Sequence, residues 1–130
     1  MNSSTTWTIS QLAQEFAVTP RTIRFYEDEG ILAPERNGRN RIYRSRDRAR
    51  LKLALRGKRL GLSLAEIRSL IGMYDSPQDT QRQLQQYLSI LEQHRLMLER
   101  KREDIELTLS EIAEQETQCR TLLAAGDARQ

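Results

Sequence analysis

Two short amphipathic segments open the chain, and their polar flanks predict where each helix begins. Thr8 and Gln11 have the spacing of a capping box, and apolar residues follow at helical intervals up to Phe16. Thr19 then precedes Pro20, which suits the first position of a helix because its missing N–H costs nothing there. Since only a short connection separates the two segments, the pattern predicts a helix-turn-helix.

A small β-hairpin is predicted after the second helix, which Gly30 is suited to end. Asn37-Gly38 is a strong turn signal, and the apolar and polar residues on either side of it form only short runs. We therefore expect a two-stranded wing at this place.

Two more helices follow the predicted wing. Ser45 is placed to cap a third helix, and Ser63 with Glu66 forms a second capping box that begins a fourth. Asp75-Ser76-Pro77 breaks the pattern, so residues 1–75 are predicted to form a winged helix-turn-helix domain.

A heptad pattern occupies the rest of the chain, in which no Gly or Pro occurs between Pro77 and Leu123. A seam of this length cannot be buried against a 70-residue domain, so it needs a partner helix, and a homodimer is the simplest source. We predict a dimerisation helix over residues 76–123 and a short tail over 124–130. Its predicted interface residues are Leu84, Leu88, Leu91, Leu98, Ile105, Leu109 and Ile112. The polar members of the seam are Arg95, Arg102 and Glu116. The predicted fold class is thus all-α with a small β wing and a long coiled-coil helix.

The net charge of +3 conceals a division between a basic and an acidic half. Residues 1–72 hold 14 Lys and Arg against 7 Asp and Glu, whereas residues 73–130 hold 7 against 11. Only the first half is therefore expected to meet a polyanion, although blocks of like charge are more often solvated surface.

The second helix carries side chains suited to double-stranded DNA. They are Thr19, Arg21, Thr22, Arg24 and Tyr26. An arginine can read a guanine edge in the major groove, while a helix N-terminus and a tyrosine hydroxyl can hold phosphates. The alternative is a solvated helix with Ile23 and Phe25 in the core.

Further cations are predicted to contact the DNA backbone. Arg36, Arg39 and Arg41 lie around the tight turn of the wing, where there is little to bury. Arg56, Lys58 and Arg59 close the third helix, and their alternative role is to stabilise its C-terminal dipole.

Little in the sequence supports other chemistry. Cys119 is the single cysteine and His94 the single histidine, which excludes an intrachain disulfide and a cysteine-only metal site. Cys119 lies in the heptad seam, where a small apolar residue packs, and a thiol or metal response through it is the alternative. No catalytic constellation is readable, so we expect neither an enzyme nor a resident cofactor or metal. The chain also lacks an apolar run of the ~20 residues that span a bilayer and a signal-peptide pattern, so we expect a cytoplasmic protein.

The order of these elements resembles the MerR family of bacterial transcription regulators. The strings that carry the resemblance are Thr8–Ala13, Thr19–Glu27, Gly30–Leu32 and Arg59–Ile67. It implies a homodimer with an antiparallel coiled coil that binds a near-palindromic promoter site. In such regulators an effector shifts the dimer, the DNA is bent and untwisted, and RNA polymerase transcribes more.

The resemblance also implies roles for particular residues. The DNA-contacting positions of the family fall on the helix residues named above, on Arg41 with Tyr43 behind it, and on the region from Arg56 to Lys58. Phe25 stands where the family often has Tyr, which removes a hydroxyl. Metal-sensing members carry a cysteine near the start of the long helix and a pair near its end, a pattern that this chain lacks.

A finer resemblance concerns the branch of the family that controls leucine and isovalerate degradation. It rests on Gly38–Tyr43, Leu51–Arg59 and Met73–Pro77. It implies a small organic effector such as a branched-chain acyl-CoA. From the residues alone, a non-specific architectural DNA-binding dimer and a protein-interaction coiled coil stay open as alternatives.

Overall fold

The structure, a computed structural model, describes residues 5–76 and 80–128. The elements there are β1 (Thr6–Trp7), α1 (Ile9–Glu15), α2 (Pro20–Asp28), β2 (Glu35–Asn37), β3 (Asn40–Arg44), α3 (Ser45–Arg59), α4 (Leu64–Asp75) and α5 (Thr80–Ala128). The chain divides into two compact units, Met1–Ile90 and Leu91–Gln130. Across the described ranges, none of the helices combines the length and the apolar character that crossing a membrane requires.

Side-chain caps begin three of the helices, as the sequence predicts. The Thr8 hydroxyl accepts a hydrogen bond from Gln11 N (3.1 Å), and Gln11 Oε1 accepts one from Thr8 N (2.8 Å). The Thr19 hydroxyl accepts from Thr22 N (3.2 Å), and Ser63 begins α4 with a complete capping box. These bonds satisfy amide groups that a helix leaves unpaired at its N-terminus, so they fix where α1, α2 and α4 start.

The predicted two-stranded wing is present as the hairpin of β2 and β3, but a third strand that was not predicted, β1, extends it to an antiparallel sheet in the order β1-β3-β2. Strand β1 is only two residues long, and Trp7 pairs with Tyr43 of β3. Two residues are too few to show alternation in the sequence. The turn lies at Gly38-Arg39, one residue later than predicted, between the paired Asn37 and Asn40. Gly38 has φ +65°, a conformation that favours glycine.

The third helix begins differently from the prediction. Its N-cap residue is Arg44 and not Ser45, because the side chain that closes this end is a carboxylate further along. Asp47 Oδ2 accepts from Arg44 N (3.2 Å), and Asp47 Oδ1 accepts from Ala33 N (3.0 Å). Asp47 is buried, so these charge-assisted bonds meet little competition from water.

The core of the first unit is built from one face of each short helix together with β3. Its fully buried side chains are Leu12, Ile23, Tyr26, Leu32, Tyr43 and Leu51. Tyr87 and Ile90 of α5 pack partly buried against this core, so the first unit extends beyond the predicted boundary at residue 75. At the other end, α5 continues through Ala128, into the predicted tail of residues 124–130.

An arginine–carboxylate cluster joins three segments of the first unit. Arg50 of α3 donates to the carboxylate of Asp75 at the end of α4, and its Nη1 donates to the Ile31 carbonyl (2.9 Å). Arg46 lies 3.4 Å from the same carboxylate. The two guanidiniums, Arg50 first, hold the pKa of Asp75 below its ordinary value. The loop after α2, α3 and the end of α4 are thereby tied together.

Replacing either of two helix glycines by alanine should change the free energy of unfolding, in opposite directions. A Cβ on Gly57 of α3 would lie 2.8 Å from Cγ1 of the buried Ile67, whereas a Cβ on Gly72 of α4 would meet nothing within 4 Å. We expect Gly57→Ala to cost about 1–3 kcal/mol by overpacking, which the roughly 1 kcal/mol gain in helix propensity only partly offsets. Gly72→Ala keeps that gain alone and is the matched control. Urea unfolding at one fixed protein concentration checks both, and a Gly57→Ala variant as stable as Gly72→Ala would contradict this packing.

Candidate nucleic-acid interface

The outward face of α2 presents two arginines that form no ion pair with a carboxylate in the described ranges. Arg21 and Arg24 are exposed, and in the described ranges neither has an ion-pair partner. Thr19 and Thr22, at the N-terminus of the same helix, are joined through their hydroxyls (3.1 Å). Arg21, Arg24 and the N-terminal amides thus form a surface that a polyanion can approach.

The two aromatic residues of α2 have the opposite placement from the one expected. Tyr26 is 2% exposed, whereas Phe25 is 48% exposed and meets the Tyr26 ring edge-on at 5.2 Å. The reason is helical geometry: Tyr26 follows Ile23 by three residues and shares its buried face, while Phe25 falls outside that face. This contradicts the expectation that Tyr26 offers its hydroxyl to a phosphate, and burial raises the pKa of that hydroxyl.

The wing arginines Arg39 and Arg41 differ in their exposure and in whether a carboxylate binds them. Arg39, in the turn, is exposed and has no ion-pair partner in the described ranges. Arg41 Nε donates to Glu27 Oε2 of α2 (2.7 Å), and the Arg41 side chain is only 25% exposed. Tyr43 lies entirely in the core, so it supports the wing and leaves no ring surface for DNA. Burial, then Glu27, raises the pKa of Tyr43 to about 12.

A second basic surface lies where α3 ends beside α1. We call it the basic depression, a surface cavity of about 540 Å³. Its lining is Phe16, Val18, Lys52, Leu55, Arg56, Lys58 and Arg59. Within the part of the chain that the structure describes, none of its four cations is in an ion pair. It contains the predicted Arg56, Lys58 and Arg59 and adds Lys52, which the sequence reasoning missed.

Arg48 is a further residue that the sequence did not reveal. Its Nε donates to Glu15 Oε2 (2.8 Å), and its guanidinium lies 5.7 Å from the ring centres of both Trp7 and Phe16. The hydrogen bond from Arg48 holds the pKa of Glu15 below its ordinary value. Because the partners are 33 positions apart, no local pattern could have identified this contact. It fixes α1 and β1 against α3, and so helps to hold the helix-turn-helix.

Cys119 is exposed on α5. Over residues 5–76 and 80–128, no group of three or more His, Cys, Asp and Glu is placed to hold a metal ion. A thiol or metal response through Cys119 stays a prediction.

A helix-turn-helix with exposed arginines on its second helix, a β wing beside it and a basic depression define a winged helix-turn-helix protein. The chain matches the family model of the MerR HTH family regulatory protein over residues 7–73 and that of the MerR DNA-binding region over residues 48–115. It belongs to the MerR family, whose members are transcription regulators and not enzymes.

Particular relatives agree with this family. The chain is 35% identical over 68 residues to HmrR, an HTH-type transcriptional regulator of Rhizobium leguminosarum bv. viciae, covering 52% of this chain and 53% of HmrR. It is 38% identical over 72 residues to ZntR of Escherichia coli strain K12, covering 54% and 51%. The chain thus spans about half the length of these curated relatives.

Solved structures agree over more of the chain. A MerR family regulator from Bacillus cereus matches with a TM-score of 0.67 and 30% identity, over 85% of this chain and 79% of that one. HiNmlR, a MerR family regulator lacking the sensor domain and bound to promoter DNA, matches with a TM-score of 0.60 and 25% identity, over 82% and 80%. None of the relatives described here bears on the leucine and isovalerate branch, so that finer resemblance stays a prediction.

The two basic surfaces lead to separable predictions. We expect Arg24→Ala to cost about 1–3 kcal/mol of binding free energy at one base position and to relax sequence preference there, because an exposed arginine on a helix that enters the major groove can bind a base edge. Lys58 is expected to contact DNA phosphates, so Lys58→Ala should weaken binding to all duplexes alike. The salt slope, which is the slope of log affinity against log salt concentration, should fall in magnitude by about one. Fluorescence anisotropy titrations over a range of KCl concentrations distinguish the two. Equal losses by Arg24→Ala on specific and scrambled duplexes would contradict the assignment of Arg24.

Proposed function

We propose that this protein is a transcription regulator that binds a near-palindromic promoter site on double-stranded DNA as a homodimer. The observation that carries the proposal is that Arg21 and Arg24 of α2 are exposed next to a wing and form no ion pair within residues 5–76 and 80–128, in a chain of the MerR family. Such a helix fits the major groove, and the wing and the basic depression supply cations for the flanking phosphates. The likeness to HiNmlR, which was solved on promoter DNA, supports this arrangement.

The apolar residues of α5 support the homodimer. Those of the predicted seam that are more than half exposed are Leu84, Leu88, Leu98, Ile105, Leu109 and Ile112. A water-soluble helix rarely leaves a row of large apolar side chains uncovered, and a second α5 carries the complementary heptad row. In this proposal the two helices pair antiparallel, as the family resemblance implies, and bring two reading helices to one palindrome.

The proposal includes what the bound dimer does. It distorts the promoter DNA, and RNA polymerase transcribes the distorted promoter. The effector class to test first is a branched-chain acyl-CoA, which the finer resemblance implies.

The test is a footprinting titration on the DNA upstream of the gene for this protein, repeated with branched-chain acyl-CoAs. We expect a protected palindrome, and distorted central bases when an effector is bound. Protection that no acyl-CoA changes would withdraw the effector and keep the regulator. Equal affinity for a scrambled duplex would identify a non-specific architectural dimer, and absence of binding at moderate salt would overturn the proposal.

The homodimer has its own test. We expect Leu98→Lys to yield monomers and to weaken DNA binding, because it places a charge in the seam and each half-site alone offers too few contacts. Leu107→Lys makes the same substitution at an exposed residue outside the predicted seam and is the matched control. Analytical ultracentrifugation checks both variants, and a Leu98→Lys protein that sediments as a dimer would refute the seam.

A further inference from the structure

Glu27 is an acidic residue in the most basic part of the molecule, at the place where α2 meets the wing. We propose that Glu27 is a positioning residue that fixes the wing against α2 and thereby sets how well the protein discriminates its site from other DNA. This inference rests on the proposed function, since it concerns the same DNA-binding surface.

The Glu27 carboxylate is fully engaged by the wing. Oε1 accepts from Arg36 Nη2 of β2 (3.0 Å), and Oε2 accepts from Arg41 Nε of β3 (2.7 Å). The Tyr43 hydroxyl donates a longer bond to Oε2 (3.5 Å). The Glu27 side chain is 16% exposed, so these contacts are partly screened from water and hold the hairpin at both of its strands.

The register of the hairpin explains why such a carboxylate is needed. Arg36 and Arg41 are direct partners across β2 and β3, and like charges in that position repel. Glu27 offsets this repulsion because each of its two oxygens binds one of the two arginines. The wing and α2 therefore form one rigid surface. The distance between the proposed major-groove contacts of α2 and the proposed phosphate contacts of the wing is then fixed.

Glu27 also limits the number of cations that the wing offers to phosphates. Arg36 and Arg41 are bound to Glu27, and Arg44 is paired with Glu35. Arg39, in the turn, has no ion-pair partner in the described ranges. Because cations that contact phosphates increase affinity for any sequence, withholding two of them lowers the affinity for specific and scrambled DNA alike, and the ratio of the two affinities depends on how firmly the wing is fixed against α2.

The test compares Glu27→Gln with the wild-type chain on two probes. One is a duplex that the wild-type protein selects from a random-sequence pool, and the other is its scrambled version. We expect Glu27→Gln to bind the scrambled duplex more tightly, with a salt slope steeper by about one to two, since two arginines become available to phosphates. We expect the ratio of the two affinities to fall by about tenfold, the scale of one mismatched base pair.

Asp28→Asn is the matched control. It removes one negative charge from the next position of α2, but Asp28 is exposed and has no ion pair in the described ranges. It should raise affinity for both duplexes and leave their ratio unchanged. A fold weakened by Glu27→Gln would instead lower affinity for both, which thermal unfolding would detect.

A second variant keeps the inference testable if Glu27→Gln does not fold. Arg36→Gln breaks the more exposed half of the same cluster and should lower the ratio without any gain on the scrambled duplex. If the wild-type chain does not discriminate the probes, the proposed function fails. If it does, and neither variant changes the ratio, the role of Glu27 alone is overturned.

Discussion

The buried carboxylate of Asp47 is the contact on which the candidate nucleic-acid interface depends. Its two oxygens accept from the Ala33 and Arg44 amides, which lie just before β2 and at the end of β3. A single side chain thus closes the base of the wing and begins α3, the helix that leads to the basic depression. Without it, two partly buried amide–carboxylate bonds would be lost, at up to about 1–3 kcal/mol each. The base of the wing and the start of α3 are positioned by this junction.

The cations of residues 1–72 fall into two groups, those in ion pairs with carboxylates and those without an ion pair in the described ranges. Seven arginines there lie in ion pairs: Arg36, Arg41, Arg44, Arg46, Arg48, Arg50 and Arg68. In the described ranges the other seven have none, and they lie on α2, at the wing turn and along α3. They are Arg21, Arg24, Arg39, Lys52, Arg56, Lys58 and Arg59. Net charge alone could not have separated cations that hold the fold from cations that are available to a ligand.

Local signals in the sequence predicted the helices well, because caps and heptads act over a few residues. Thr8, Thr19 and Ser63 bind the amides that their spacing predicts. What failed depends on distant partners: β1 is defined only by pairing with β3, and the start of α3 by Asp47. The site was predicted in part. Arg21 and Arg24 are exposed as expected, but the burial of Tyr26 depends on which face of α2 meets the core, and two adjacent aromatics left that open.

The exposed apolar seam of α5 makes the amount of dimer depend on how much of the chain a cell makes. A chain whose apolar seam is covered only by a second copy is stabilised by mass action, so its stability depends on its own concentration. At low concentration the number of paired chains rises as the square of the total. Doubling synthesis would then raise the amount of dimer about fourfold. A promoter bound by the dimer would therefore respond more steeply than in proportion to the amount of protein.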